Sequence, residues 1–65
     1  MSFGNWLEKK LLLSGKTQAE CADALNVRRA TVNVWIRQNV RPSIDYVKPL
    51  AKFLEVEESE VFKRL

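Results

Sequence analysis

The feature that most constrains this chain is a pair of short helical patterns that meet at Asn26–Val27. The first pattern begins with Thr17-Gln18-Ala19-Glu20, which has the form of a capping box: the Thr17 and Glu20 side chains each accept a backbone N–H of the same turn. Asn26 lies where the chain must turn sharply, and asparagine tolerates a positive φ better than most residues other than glycine. The sequence therefore predicts two helices that pack closely across a tight turn.

Helical segments account for nearly every apolar residue, and no segment alternates polar and apolar residues as a strand does. The predicted helices run from Phe3 to Leu13, Thr17 to Leu25, Arg28 to Arg37, Ser43 to Leu54 and Glu57 to Leu65. Pro49 interrupts the fourth pattern, so this helix is either kinked or regular only from about Lys48. The predicted fold class is all-α.

The helical period also predicts which side chains are buried. The expected buried stripes are Phe3, Leu7 and Leu11; Cys21, Ala22 and Leu25; Val32, Trp35 and Ile36; and Ile44, Val47, Ala51 and Leu54. The outward-facing residues of the third helix are Ala30, Asn33, Val34 and Arg37. Trp6, Leu12 and Leu13 widen the first stripe beyond the needs of one small core, so one of them is expected to face a partner.

Size and composition limit the class of protein. A chain of 65 residues forms one domain, here residues 1–65, and buries only about 60% of the surface that its unfolded state exposes. It has one cysteine and no histidine, so we expect no disulfide, no metal site and no hydrolytic nucleophile–base pair. It also has no signal peptide and no run of about 18 apolar residues. We expect a cytoplasmic, non-enzymatic protein without cofactor, membrane or small-molecule ligand.

Charge is distributed unevenly along the chain. The net charge is only +3, but residues 28 to 41 contain four arginines and no acid, whereas residues 55 to 60 contain four glutamates and no base. A local basic strip is typical of a surface that binds phosphate groups. The acidic segment is expected to be a solvated turn and helix start that repels nucleic acid.

From Lys16 to Phe62 the chain resembles, without a gap, the Cro/CI type of helix-turn-helix domain found in phage repressors and many small bacterial regulators. The matching positions are Thr17, Gln18, Glu20, Ala22, Leu25, Val27, Arg29, Thr31, Val32, Trp35, Arg37, Pro42, Ser43, Leu50, Ala51, Leu54 and Val56. The resemblance implies a compact five-helix, lambda-repressor-like fold, in which helices two and three form the helix-turn-helix and the third enters the DNA major groove. Three residues depart from the family pattern: Asn26, Ile36 and Pro49.

The resemblance also implies roles for individual residues. The positions that face the bases in this family are occupied here by Arg28, Arg29, Ala30, Asn33 and Val34. Gln18 is expected against a phosphate at the start of helix two. A guanidinium such as that of Arg29 matches guanine O6 and N7, and an amide such as that of Asn33 matches adenine. Arg37 and Arg41 lie beyond the base-contacting end, where phosphate contact is expected.

These features favour a sequence-specific regulator of transcription, expected to be a phage or prophage repressor that binds a palindromic DNA operator as a homodimer. One short helix contacts too few base pairs to select a site in a genome, which argues for two copies. The residues expected at the dimer interface are Val56, Val61, Phe62 and Leu65, with Ile36 and Val40 as second candidates.

Two alternatives stay open at this point. One is a protein-interaction module, such as an antirepressor or adaptor, on the same helical scaffold, because fold does not determine function. The other is a regulator of a restriction–modification or toxin–antitoxin operon. A chain that ends at Leu65 is expected to lack a separate effector or dimerisation domain.

Overall fold

The computed structural model describes residues 2–65, and these contain α-helices and a 3₁₀ turn but no strand. The elements are α1 (Phe3–Ser14), α2 (Gln18–Leu25), α3 (Arg29–Arg37), the 3₁₀ turn (Ile44–Tyr46), α4 (Val47–Leu54) and α5 (Glu58–Arg64). The predicted all-α class with five helices is confirmed. None of the helices in this part of the chain has the length and apolar character needed to cross a membrane.

The helix ends are fixed by local chemistry that the sequence predicts. Thr17 Oγ1 accepts the Glu20 N–H at 3.1 Å, and the Glu20 carboxylate accepts the Thr17 N–H at 2.8 Å, which confirms the capping box. Gly15 (φ 67°), Asn26 (φ 56°) and Glu55 (φ 58°) end α1, α2 and α4 in the left-handed conformation. Glu55 was not expected there, because this conformation costs a residue with a Cβ about 1 kcal/mol.

All five helices contribute to one hydrophobic core. α1 lies against α3 and α4, α2 packs on the same two helices, and α5 packs on α4. The largest fully buried side chains are those of Phe3, Leu7, Cys21, Val32, Leu50 and Val61. Burial raises the pKa of the Cys21 thiol from its ordinary value of 9.0 to about 11, so the thiol is neutral at physiological pH. Cys21 is therefore a small buried apolar residue, as the helical period predicts.

Gly4 allows α1 to cross the end of α3 at very short distance. A Cβ at this position would lie 2.6 Å from the carbonyl oxygen of Trp35 and 2.7 Å from that of Ile36. Asn39 completes the contact, because its Oδ1 accepts the Gly4 N–H at 3.3 Å while its own backbone is left-handed (φ 53°). The start of α1 thus holds the loop that follows α3. In the sequence, only the unusual glycine within a helical pattern signals this contact.

The fourth helix begins later than its apolar pattern predicts. Ile44 belongs to the 3₁₀ turn and is 62% exposed, so its assignment to the buried stripe is wrong, and Leu50 is the residue that fills the core. Ser43 Oγ accepts the Asp45 N–H at 3.1 Å and caps the 3₁₀ turn. Pro49 is the third residue of α4, where a backbone N–H has no acceptor within the helix, so its missing N–H removes no hydrogen bond.

The apolar residues left over from the core differ in part from those expected. Trp6 is only 3% exposed, whereas Leu12 and Leu13 are 78% and 72% exposed at the end of α1. Val61 is fully buried, because it is the one residue through which the short α5 packs on the core. Val61 therefore has no exposed surface to contribute to a dimer interface, contrary to the prediction. Phe62 is 57% exposed.

Candidate nucleic-acid interface

Buried side chains on one side of α3 pack on the core, and this packing fixes the direction in which its exposed side faces. Val32, Trp35 and Ile36 are buried, as predicted. The Trp35 ring also packs on Tyr46 of the 3₁₀ turn, with 5.3 Å between the ring centroids and 55° between the ring planes. The residues expected to face DNA bases lie on the opposite side: Arg28, Arg29, Ala30 and Asn33 are exposed, and Val34 is half-buried.

The N-terminus of α3 is positively charged and has no side-chain cap. The helix starts at Arg29, one residue later than predicted, so Arg28 is its N-cap residue, and the Arg28 side chain makes no capping hydrogen bond. The Thr31 N–H donates to the Arg28 carbonyl at 2.9 Å, whereas the N–H groups of the first two residues of α3 have no acceptor within the helix. Because the helix dipole adds positive potential at this end, these groups and the Arg28 and Arg29 guanidinium groups together attract anions.

Gln18 and Asn33 meet where α2 packs on α3. The Asn33 Nδ2 donates a hydrogen bond to the Gln18 Oε1 at 3.3 Å. The bond therefore joins Gln18, which is expected to contact a phosphate, to Asn33, which is expected to contact a base. The spacing of the two residues in the sequence does not predict this bond, since it depends on how the two helices cross.

Arg37 and Arg41 lie at the far end of α3 and in the following loop, and both are exposed. The loop is fixed in place by the bond from Gly4 to Asn39 and by the buried ring of Pro42. Within residues 2–65, ion pairs form between Lys10 and Glu60 and between Lys16 and Glu55, and neither involves an arginine of the basic strip. The charges of all four arginines therefore remain available to an anionic partner.

The glutamates of residues 55–60 lie at the end of α4 and the start of α5, which carry none of the residues expected to contact DNA. Lys16 joins this region to the start of α2. Its Nζ lies 3.5 Å from a Glu55 carboxylate oxygen, donates to the Phe53 carbonyl and lies 4.8 Å from the centroid of the Phe53 ring. A lysine at the C-terminal carbonyls of a helix is also favoured by the helix dipole. Within residues 2–65, no ion pair joins these glutamates to the four arginines of residues 28–41.

Comparison with known proteins assigns the chain to a family. A family model described as helix-turn-helix matches residues 7–61, which include all of α2, the turn at Asn26 and α3. A search of curated proteins and a search of solved structures each returned no match. The matched family typically consists of non-enzymatic DNA-binding regulators. Since the match covers most of the chain and the structure has the paired helices that define the motif, this protein belongs to the Cro/CI-like helix-turn-helix family of DNA-binding regulators.

Proposed function

We propose that the protein is a Cro-like transcriptional repressor of a phage or prophage that occupies a palindromic operator as a homodimer. The observation that supports it most strongly is the N-terminal end of α3, which is uncapped and exposed and carries Arg28 and Arg29 without an acid beside them. In this proposal α3 lies in the major groove with that end against the base edges. Repression follows from occupancy of the operator, which excludes the polymerase.

Base selection is assigned to the exposed side chains of α3. Arg29 donates two hydrogen bonds to guanine, a contact that discriminates against other bases by about 1 to 3 kcal/mol. Asn33 contacts adenine: its Nδ2 carries two hydrogens, so the bond to Gln18 leaves one for adenine N7 while Oδ1 accepts from N6. Ala30 and Val34 pack on thymine methyl groups. Arg28 contacts either a base or the adjacent phosphate.

Phosphate contact is assigned to Gln18 at the start of α2, to Arg37 at the end of α3 and to Arg41 in the following loop. The amide of Gln18 is already oriented by Asn33, so a phosphate contact there also fixes the base-contacting amide. Two half-sites about 34 Å apart along the duplex accommodate two copies of the chain. In the dimer proposal, Phe62 supplies exposed apolar surface, and the half-buried Val56 and Leu65 contribute the remainder.

Selection of bound sequences from a random DNA pool tests the proposal directly. A palindromic consensus is expected, and the affinity for it should fall steeply with salt because each phosphate contact releases counterions. A chain that shows no salt-dependent binding to mixed DNA would instead act as a protein-interaction module. A consensus without two-fold symmetry would contradict the operator and dimer parts of the proposal.

Two arginine variants separate the expected base contact from the expected phosphate contact. Arg29→Ala should relax the preference at one base position of the consensus. Arg37→Ala, its matched control on the same helix, should weaken all sequences about equally and lower the salt slope by roughly one. If operator preference survived Arg29→Ala unchanged, the base-contact assignment of this residue would be wrong.

A further inference from the structure

Asn39 has a left-handed backbone (φ 53°) that helix capping does not explain. Asn26 and Glu55 have the same conformation, but each is the C-cap residue of a helix, and its N–H donates to a carbonyl of the last turn. Asn39 lies one residue beyond Gln38, the C-cap residue of α3, and its N–H has no such bond within residues 2–65. A strained residue of this kind persists only where other contacts hold it, and such residues cluster at functional sites.

The backbone groups of residues 39–42 make no hydrogen bond in the part of the chain that the structure describes. The loop is held instead by the burial of Pro42 and by the side chain of Asn39, whose Oδ1 accepts the Gly4 N–H at 3.3 Å. Gly4 is itself closely packed, since a Cβ there would lie 2.6 Å from the Trp35 carbonyl oxygen. The Asn39 side chain therefore ties the loop to a fixed part of α1.

Arg41 depends on this loop for its position, whereas Arg37 does not. Arg37 is the last residue of α3, so the helix fixes its backbone, and Arg41 lies two residues beyond Asn39. Both arginines are exposed, and neither forms an ion pair within residues 2–65. A charged side chain on a fixed backbone loses less conformational entropy on binding than one in a mobile loop. The order of the loop should therefore affect how strongly Arg41 binds an anion.

We propose that Asn39 is a positioning residue for the contact between Arg41 and the DNA backbone. Its bond to the Gly4 N–H holds the loop against α1 and so keeps the backbone of Arg41 where the guanidinium group reaches a phosphate. Asn39 itself contacts neither base nor phosphate. This role rests on the proposed function, because it requires the phosphate contact assigned to Arg41.

A double-mutant cycle tests whether Asn39 acts through Arg41. Asn39→Gly removes the acceptor and leaves the left-handed backbone accessible. It should weaken binding to a mixed-sequence duplex at low salt by about threefold to tenfold. In the Arg41→Ala chain the same change should cost less than about twofold, whereas in the Arg37→Ala chain it should cost the full factor. Equal losses in all three chains would show that Asn39 acts through the fold as a whole and would overturn the proposal.

Gln38→Gly is the matched control, because it adds a glycine to the same loop and leaves the bond between Asn39 and Gly4 in place. It should change the affinity for DNA by less than about twofold. A loss as large as that of Asn39→Gly would mean that the flexibility of glycine, and not the missing bond, weakens binding, and would overturn the proposal. Circular dichroism at the temperature of the titration verifies that each variant is folded.

NMR order parameters of the DNA-free chain test the position of the loop separately from DNA binding. The N–H groups of Val40 and Arg41 should be ordered in the original chain and less ordered in Asn39→Gly. Unchanged order parameters would overturn the proposal even if DNA affinity fell. An original chain with an ordered loop that bound no duplex would contradict the proposed function and, with it, the role of Asn39. An original chain that bound DNA no better than Asn39→Gly would contradict the role of Asn39 alone.

Discussion

At Gly4, the absence of a side chain decides whether α1 can lie against the end of α3. Intrinsic helix propensity alone predicts that Gly4→Ala stabilises α1 by roughly 0.5–1 kcal/mol. The structure predicts the opposite sign, because the added Cβ meets two backbone oxygens at less than 3 Å and backbone cannot move aside as a side chain can. We expect a loss of about 1–3 kcal/mol in the free energy of unfolding, measured in urea.

Gly15→Ala serves as the control for that measurement. No atom lies within 4 Å of a Cβ built at Gly15, but its φ of 67° makes any side chain unfavourable by about 1 kcal/mol. Its cost should therefore reflect backbone strain alone. A stabilised Gly4→Ala variant would show that α1 shifts freely against α3 and would contradict the close packing.

The buried Cys21 thiol should make stability fall at high pH. Above pH 9 the unfolded chain loses the Cys21 proton, whereas the folded chain keeps it up to about pH 11. Unfolding therefore becomes easier as pH rises through this window, by about 1.4 kcal/mol per pH unit at most. The free energy of unfolding of the original chain minus that of Cys21→Ala isolates this effect from other groups. A difference that stays constant from pH 8 to 11 would show that the thiol is not desolvated.

At the scale of single elements, α3 has a buried side that packs firmly on the core and an N-terminus whose charges and missing cap are unfavourable for stability. Its buried residues pack on the core and on the 3₁₀ turn, so its position is fixed by tertiary contacts. Its N-terminus carries two arginines at the positive end of the dipole and no side-chain cap. Such a helix start lowers the stability of the fold. The proposed binding of an anionic partner by the two arginines and the free N–H groups accounts for it.

Arg28→Asp tests this trade-off between stability and binding. Aspartate at the N-cap accepts a free N–H of α3 and complements the dipole, so the fold should gain about 1 kcal/mol. In a domain of this size that gain raises the melting temperature by about 4–8 °C. DNA binding should weaken at the same time, which a salt-controlled titration measures. Arg28→Ala, which removes the cation without adding a cap, should weaken binding without stabilising the fold.

At the scale of the whole molecule, the helices share one core and we expect them to unfold together. Trp6 in α1 and Trp35 in α3 lie in that core, so tryptophan fluorescence follows tertiary packing while circular dichroism follows the helices. The two melting curves should coincide, with an enthalpy of about 45 kcal/mol near 60 °C for a chain of this length. An earlier transition in circular dichroism alone would show that an element such as α5 unfolds separately.

Much of this fold is predictable because its signals are local. The capping box at Thr17, the left-handed turns at Gly15 and Asn26, and the inward phase of Trp35 each depend on residues within one or two turns. The family resemblance drew on the same local pattern, and the family match confirms it. The predictions for Ile44, in the 3₁₀ turn, and for Val61, in the middle of the short α5, are wrong because the apolar pattern of such short segments does not fix which residue faces the core. The choice depends on where a neighbouring element lies.

The sequence by itself determined the five helices, the two that form the helix-turn-helix, and the separation of the arginine strip from the glutamates. These follow from hydrophobic periodicity, capping chemistry and the order of charged residues. Only the tertiary structure decided that Asn33 bonds to Gln18, that Asn39 anchors its loop on Gly4, and that α1 and α5 enclose a groove. The partners in these contacts are 15 to 35 residues apart or lie on different helices, and their meeting depends on how the helices cross.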